Sequence, residues 1–113
     1  RGVFMNRYIR FLNLKKALTK DFVDSELDFT SQRLLELVAL SEHGSQRMTV
    51  TEAMNLNIAA PATIHRKIDE LLAQEYISLE YEGQNRRTKY LTLTKKSNAY
   101  FNELGKILVK SIA

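Results

Sequence analysis

Residues 60–93 read APATIHRKIDELLAQEYISLEYEGQNRRTKYLTL, and the pattern changes once, from helical to strand-like. In the first half, apolar residues recur at the spacing of one helix face: Ile64, Ile68, Leu71 and Leu72. Pro61 suits the first helical position, where its missing amide hydrogen costs nothing. At about 100° per residue, the opposite side of this helix carries Ala62, Arg66 and Ala73.

The second half predicts a β-hairpin. Apolar and polar residues alternate from Ile77 to Glu82, which is the period of a half-buried strand. A polar turn at 83–85 leads into a second strand at 88–93, so we expect Asn85, Arg86 and Arg87 at the hairpin tip.

A helix of this kind followed by such a hairpin suits a DNA duplex. The helix buries one face and presents small residues and Arg66 on the other, so it can enter the wide major groove. A narrow hairpin with two arginines at its tip can reach phosphates or the minor groove.

This stretch resembles the MarR (multiple antibiotic resistance regulator) family of winged-helix transcription factors. Residues 63–71, TIHRKIDEL, are similar to the family's recognition-helix pattern T-V-x-R-x-V-D-x-L. The segment Asn85-Arg86-Arg87, followed by LTLT at 91–94, is similar to its wing pattern D-x-R…V-x-L-T. The resemblance covers about two-thirds of the chain in order. The sequence departs from the family at Glu75, where Gly usually closes the helix, and at Asn85, where Asp is usual.

The resemblance implies a mainly α fold with a small β-hairpin wing (α+β), a winged helix-turn-helix with N- and C-terminal dimerisation helices. We expect residues 1–113 to form a single winged-helix domain, with a core at 29–93 and dimerisation helices at 1–20 and 94–113. It further implies sequence-specific binding of double-stranded DNA at a pseudo-palindromic operator, by a homodimer, and a small aromatic effector as a possible ligand.

The candidate DNA-binding residues lie in the short helix before the recognition helix, in the recognition helix and on the wing: Thr51, Pro61, Ala62, Thr63, His65, Arg66, Lys67, Asn85, Arg86, Arg87 and Lys89. Arg66 points away from the apolar stripe and is predicted to read a base, whereas Lys67 is predicted to add affinity on any sequence. The alternative for Arg66 is an i, i+4 ion pair with Glu70. The alternative for His65 is an exposed surface position without a DNA contact. The alternative for Arg86 and Arg87 is a solvated turn.

The rest of the chain supplies helices and their caps. An aromatic-rich first helix is predicted at about 3–20, followed by an acidic connector at 21–28. Thr30 is predicted to cap a second, deeply buried helix, with Phe29 packing onto Leu34 and Gly44 ending it. A short strand is predicted at Arg47-Met48, and a capping box at 49–52 starts a short helix. Thr94 is predicted to cap the last helix.

The terminal helices are predicted to form the dimer interface. Their apolar stripes exceed what a small core can cover, and exposed stripes of this size mark an interface. The predicted interface residues are Phe4, Tyr8, Phe11, Leu12, Tyr100, Leu104, Ile107 and Leu108. The family's effector cavity is a further expectation, and Tyr8, Phe11, Tyr81 and Tyr100 are candidates for lining it, although aromatics at this spacing are more often core.

Charge is unevenly distributed along the chain. The net charge is +4 overall, but residues 1–20 hold six basic residues and no acid, and residues 21–59 hold seven acids against two basic residues. A basic N-terminal segment and a weakly basic helix–hairpin segment are typical of a protein that binds a polyanion. The alternative is that these charges form only a solvated surface. Since the chain has no cysteine and no long apolar segment, we expect a cytoplasmic protein without disulfides or a membrane span.

An enzymatic function finds no support in the sequence. His43 and His65 lie far apart and in no metal-ligand spacing, and there is no Gly-rich phosphate loop or nucleophile motif. We therefore expect neither catalysis, nor a metal, nor a cofactor. The alternative to DNA binding is a winged helix used for protein–protein contacts, which the acids Asp69, Glu70, Glu80 and Glu82 in the helix–hairpin segment keep open.

Overall fold

The computed structural model describes residues 2–18, 27–44 and 46–112. Its elements follow in the order α1 (Gly2–Leu18), α2 (Phe29–His43), β1 (Met48–Thr49), α3 (Val50–Met54), α4 (Pro61–Ala73), β2 (Ile77–Glu82), β3 (Asn85–Leu93) and α5 (Lys95–Ile112). The described residues are mostly helical with one small three-stranded antiparallel sheet, which confirms the predicted fold class. The predicted end of the first helix at 19–20 and most of the predicted acidic connector, at 21–26, lie outside the described residues.

The chain divides into two compact units. One comprises residues 28–97 and holds the elements from α2 to β3. The other comprises residues 1–27 together with 98–113 and holds α1 and most of α5.

Helix α2 supplies the centre of the core in the 28–97 unit. Leu34, Leu35 and Val38 are fully buried on it, and burying each such side chain is worth about 1.5–3 kcal/mol. The helix begins earlier than predicted, because the Asp28 carboxylate accepts a hydrogen bond from the Ser31 amide at 2.8 Å. The prediction that Thr30 is the cap is therefore wrong.

The two ends of α2 differ from the sequence prediction in further details. With Asp28 as the cap, Phe29 becomes the first helical residue and is 89% exposed, so the predicted contact with Leu34 is wrong. Gly44 ends the helix as predicted, but its φ of −88° lies outside the left-handed region. A Cβ at Gly44 would lie 3.1 Å from the Leu40 carbonyl oxygen, so close approach of the backbone is what favours glycine there.

The starts of α3 and α4 agree with the sequence prediction. Thr49 and Glu52 form the capping box: the Glu52 amide donates to Thr49 Oγ1 at 3.1 Å, and the Thr49 amide donates to Glu52 Oε1 at 3.0 Å. Pro61 occupies the first turn of α4, after Ala60, whose side chain makes no capping bond. The apolar stripe of α4 is buried at Ile64, Ile68 and Leu71.

The sheet has the strand order β1-β3-β2 and is antiparallel throughout. Met48 and Leu79 lie opposite Leu91 on its two sides, and this row faces the core, since Leu91 is fully buried. Strand β3 is anchored to α2, because the Leu93 amide donates to the Glu42 carboxylate at 2.9 Å. The three strands thus fix the wing to the helical core at its base.

Helix α5 begins at a polar cap around Thr94. The Ser97 amide donates to Thr94 Oγ1 at 3.3 Å, and the Thr94 amide donates to Ser97 Oγ at 2.8 Å. This reciprocal pair satisfies amides that the first turn of a helix leaves free. The prediction that Thr94 caps the last helix is confirmed.

A tight turn at Glu75 joins α4 to the wing. The Tyr76 amide donates to the Leu71 carbonyl at 2.9 Å and the Glu75 amide to the Leu72 carbonyl at 3.1 Å, which is a Schellman arrangement. It places Glu75 in the left-handed region at φ 64°. A residue with a Cβ is strained there, which is why glycine prevails at such positions.

We therefore expect Glu75→Gly to raise the free energy of unfolding by about 0.5–1 kcal/mol, because relief of the left-handed strain exceeds glycine's greater unfolded-state entropy. Thermal and urea denaturation measure the change. Glu75→Gln is the matched control, because it removes the charge and keeps the Cβ. Equal stability of the Gly and Gln variants would contradict a backbone origin.

Candidate nucleic-acid interface

Helix α4 presents the surface that its spacing predicts. With Ile64, Ile68 and Leu71 buried, its exposed residues are Pro61, Ala62, His65, Arg66, Asp69 and Ala73, and Thr63 is half-buried at the edge. Ala62 lies one turn before Arg66, so the first turn of the helix is open to close approach, whereas Asp69 and Glu70 lie one turn after it. A surface of this shape fits the width of the major groove of B-DNA.

The guanidinium of Arg66 does not form the ion pair with Glu70 that was the alternative prediction for it. The Glu70 carboxylate lies 3.2 Å from Lys67 Nζ instead. Among the ion pairs of the described residues, none involves Arg66. Its donors therefore remain available for a partner outside the chain.

Lys67 has a structural position, which corrects its assignment as a DNA-binding residue. Its side chain is 11% exposed, and its ammonium lies 2.5 Å from the Asp28 carboxylate and 3.2 Å from that of Glu70. The hydrogen bond to Asp28 raises the pKa of Lys67, and the hydrogen bond from Lys67 lowers the pKa of Asp28, with help from the Ser31 amide. Lys67 thus ties α4 to the cap of α2. The sequence could not reveal this, because Asp28 lies far away along the chain.

His65 and Asp69 form a pair on the exposed surface of α4. His65 Nδ1 lies 3.4 Å from the Asp69 carboxylate, one helical turn away, and both side chains are more than 60% exposed. Asp69 is therefore an acid on the same helix surface as Arg66, and His65 compensates its charge only when the imidazole is protonated.

The wing differs from its prediction in where the arginines lie. Strand β3 begins at Asn85, which pairs with Glu82, so Arg86 and Arg87 lie within the strand and the turn consists of Gly83 and Gln84. Both arginines are exposed. Gly83, at φ 53°, makes so short a turn possible. The prediction of arginines at the tip is corrected to arginines along the outer part of β3.

Pairing of β1 with β3 brings the wing beside the start of α3. Arg87, Thr88 and Lys89 line an open groove of about 370 Å³ together with Thr49, Val50 and Thr51. Thr51, Arg87 and Lys89, each predicted separately to bind DNA, therefore line the same groove. A DNA phosphate is the kind of group that hydroxyls and cations hold in this way.

The solvent-facing side of the sheet holds a cluster that the sequence analysis missed. The Arg47 guanidinium lies 2.5 Å from the Glu80 carboxylate and 4.3 Å from the centroid of the Tyr90 ring. The Tyr90 hydroxyl donates to Glu82 at 3.2 Å. Partial burial, and then the charge of Glu82, raise the pKa of Tyr90. Only the register of the three strands brings these side chains together, and that register is not legible in the sequence.

The predicted interface stripe of α1 is exposed in the isolated chain. No residue of this helix is buried. Phe4 is 78%, Tyr8 59% and Leu12 39% exposed, while Phe11 is half-buried. A helix with so many large apolar side chains in water lacks a covering surface.

The predicted stripe of α5 is corrected at two positions. Tyr100 and Ile107 are already buried within this chain, at 2% and 7% exposure, so they belong to its interior. Leu104 is half-buried and Leu108 is 51% exposed. Val109 and Ile112, which are not among the predicted interface residues, are also exposed.

A groove in the 28–97 unit lies beside β2 and has a volume of about 640 Å³. It is lined by Leu72, Glu75, Ile77, Ser78, Leu79, Thr94, Lys95 and Lys96. None of the four aromatic residues proposed for an effector cavity lines it. Within the described ranges, no cluster of three or more His, Asp or Glu side chains is placed to hold a metal ion. None of the helices described combines the length and apolar character that a membrane span requires.

Comparison with known proteins identifies solved structures of similar fold. No protein-family model matches the sequence, and no curated protein matches it. The structure of RV1404 from Mycobacterium tuberculosis has a TM-score of 0.68 at 20% identity, covering 98% of this chain and 71% of that one. A MarR/EmrR family transcriptional regulator from Acinetobacter sp. ADP1 has a TM-score of 0.61 at 16% identity, covering 96% and 71%. The adhesin competence repressor AdcR from Streptococcus pyogenes has a TM-score of 0.57 at 22% identity, covering 93% and 73%.

Proposed function

We propose that this chain, whose fold is the winged helix of the MarR-type regulators, is a sequence-specific double-stranded DNA-binding transcriptional regulator that acts as a homodimer. The observation that carries the proposal is the surface of α4. It presents Arg66, without an ion-pair partner among the described residues, one turn after the small residue Ala62, on a helix whose opposite face is buried. Helix α4 is the element that enters the major groove.

The roles of the wing and of α3 follow from their place in the same unit. Arg86, Arg87 and Lys89 bind phosphates or the minor groove beside the site of α4, and Thr51 binds a phosphate at the mouth of the shared groove. Pro61, Ala62 and Thr63 allow the first turn of α4 to approach the bases, and His65 contacts the DNA backbone. Asn85 starts the strand that presents the arginines.

The dimer is part of the proposal. The uncovered face of α1 supports a two-fold interface formed with a second copy of the chain. Two α4 helices related by this symmetry contact half-sites of a pseudo-palindromic operator about 34–36 Å apart.

Protein–protein contact remains the alternative function, but the acids that favour it are largely paired. Asp69 contacts His65, Glu70 contacts Lys67 and Glu80 contacts Arg47. Glu82 accepts the hydroxyl of Tyr90. Cationic side chains thus compensate the charges of Glu70 and Glu80, which makes this surface less unfavourable for a polyanion.

Replacing Arg86 and Arg87 with alanine tests the proposal. We expect affinity for both operator and random duplex DNA to fall, and the slope of log K against log salt to flatten by about one unit for each phosphate that the variant no longer neutralises. Fluorescence anisotropy with labelled duplexes, titrated at several salt concentrations, measures both quantities.

The matched control is Arg33→Ala, which removes an arginine that lies outside the predicted surface and pairs with Glu36. Wild-type affinity and slope in the double variant would show that the wing does not bind DNA. Failure of the wild-type protein to bind duplex DNA even at low salt would favour the protein–protein alternative.

A further inference from the structure

One row of side chains crosses all three strands on the solvent-facing side of the sheet. Thr49 of β1 and Glu80 of β2 both lie opposite Tyr90 of β3. Directly opposite residues in antiparallel strands point to the same side, so the three side chains form one line. Tyr90 is in the middle of this line.

The Arg47 side chain extends along this row from one edge of the sheet to the other. It starts beside β1, lies 4.3 Å over the Tyr90 ring, and ends 2.5 Å from the carboxylate of Glu80 on β2. A guanidinium stacks on an aromatic ring and pairs with a carboxylate at the same time, which a lysine ammonium cannot do equally well. One residue therefore links both edges of the sheet over its central strand.

This link lies where the wing leaves the body of the unit. Strand β1 pairs with β3 only at Met48–Leu91 and Thr49–Tyr90. From Lys89 outward, β3 has only β2 as its strand partner, and the ladder shifts register between Tyr81 and Glu82. A two-stranded hairpin alone is marginally stable and twists easily. The direction in which the wing hairpin extends from the unit is therefore set at the row that contains Tyr90.

The length of the free hairpin amplifies any motion at this row. Arg86 lies four residues beyond Tyr90, which is about 13 Å along an extended strand. A rotation of about 10° at the row then moves Arg86 by about 2 Å, which is enough to break a hydrogen bond to a phosphate.

We propose that Arg47 is a positioning residue for DNA binding: by joining Glu80 to Tyr90, it holds the wing at the angle that places Arg86 and Arg87 on the duplex. Arg47 does not itself contact the DNA in this role. The inference rests on the proposed function, because its consequence for binding requires a wing that contacts DNA.

A simpler explanation makes an opposite prediction. If Arg47 only neutralised the charge of Glu80, removing that charge by Glu80→Gln would strengthen DNA binding, and Arg47→Lys would change nothing. If Arg47 positions the wing, both variants weaken binding, although one removes a negative charge and the other keeps the positive charge. The sign of the Glu80→Gln effect thus separates the two explanations.

The decisive measurement is made on Arg47→Lys and Glu80→Gln, first without DNA. We expect ¹⁵N relaxation order parameters of the amides of residues 86–89 to fall from about 0.85, a rigid backbone, toward 0.6 or less in both variants. The melting temperature should hardly change, because Arg47 and Glu80 are both substantially exposed. With duplex DNA, affinity should fall about tenfold, the worth of one charge-assisted hydrogen bond, and the salt slope should flatten by about one unit.

Arg33→Lys is the control, because Arg33 forms a comparable pair with Glu36 on α2, with Nη1 to Oε1 at 3.5 Å, and has no link to the wing. It should leave both the order parameters and the affinity unchanged. Unchanged order parameters in both test variants, or tighter DNA binding by Glu80→Gln, would overturn the proposal. Absence of DNA binding by the wild type would instead refute the proposed function, and the relaxation data would still decide whether Arg47 holds the wing.

Discussion

Replacing Phe4 and Tyr8 of α1 with glutamate is expected to convert dimers to monomers and to weaken operator binding by about 10²–10⁴-fold, the gain that two linked sites supply. Helix α1 has no buried residue, and Phe4 and Tyr8 are 78% and 59% exposed. An isolated helix of this length is marginal in water, so its stability must come from packing against something else. Two carboxylates in the middle of an apolar contact cannot be buried without a large desolvation cost.

Sedimentation velocity at micromolar concentration and anisotropy on an operator duplex measure the two effects. Phe29→Glu is the matched control, since Phe29 is 89% exposed and lies on α2, outside the proposed stripe. It should remain dimeric and bind normally. A double variant that sediments as a dimer and keeps its operator affinity would refute the assignment of α1 to the interface.

Arg66→Ala is expected to weaken operator binding by about 1–3 kcal/mol, which is roughly a 5- to 150-fold drop in affinity, because a bidentate contact to guanine has that worth. Random duplex DNA should be affected much less, since only one surface charge is removed there. Arg66→Lys keeps the charge without the planar fork and should recover random binding only. Competition assays against operators with single base-pair changes measure the discrimination.

Lys67→Ala provides the contrast within the same turn of α4. Because Lys67 pairs with Asp28 and Glu70 in a largely buried position, its removal should lower the free energy of unfolding by about 1–2 kcal/mol. The operator preference of the protein that remains folded should be unchanged. Equally weakened binding of operator and random DNA by Arg66→Ala would contradict base reading by Arg66, whatever the behaviour of Lys67→Ala.

Several predictions that depended on nearby residues were accurate. The stripe of α4, the capping box at Thr49 and Glu52, and the cap at Thr94 all follow from geometry that repeats within a few residues. The resemblance to MarR-type proteins, drawn from two short segments, is confirmed at the level of fold by structures at 16–22% identity. The departure at Glu75 was also visible in the sequence, and it coincides with a left-handed residue.

Errors arose where two local solutions competed. The cap of α2 was predicted at Thr30, and Asp28 was assigned to the acidic connector, although Asp is an equally good N-cap residue. The structure has Asp28 instead, since its carboxylate accepts from Ser31 and also binds Lys67 of α4. A contact between α4 and the cap of α2 thus accompanies a cap that the sequence prediction missed.

Helical periodicity alone identifies the apolar face of α4, on which Ile64, Ile68 and Leu71 are buried and Leu72 is half-buried, because this period is a property of neighbouring residues in the sequence. The same period directs Arg66 away from the core. Tertiary contacts, by contrast, settle that Lys67 serves the core, that Tyr100 and Ile107 are interior, and that Arg47 lies over Tyr90. These facts depend on the register of strands and on ion pairs between residues far apart in the chain. A pairing partner 39 residues away leaves no periodic signal in the sequence, so the folded chain alone reveals it.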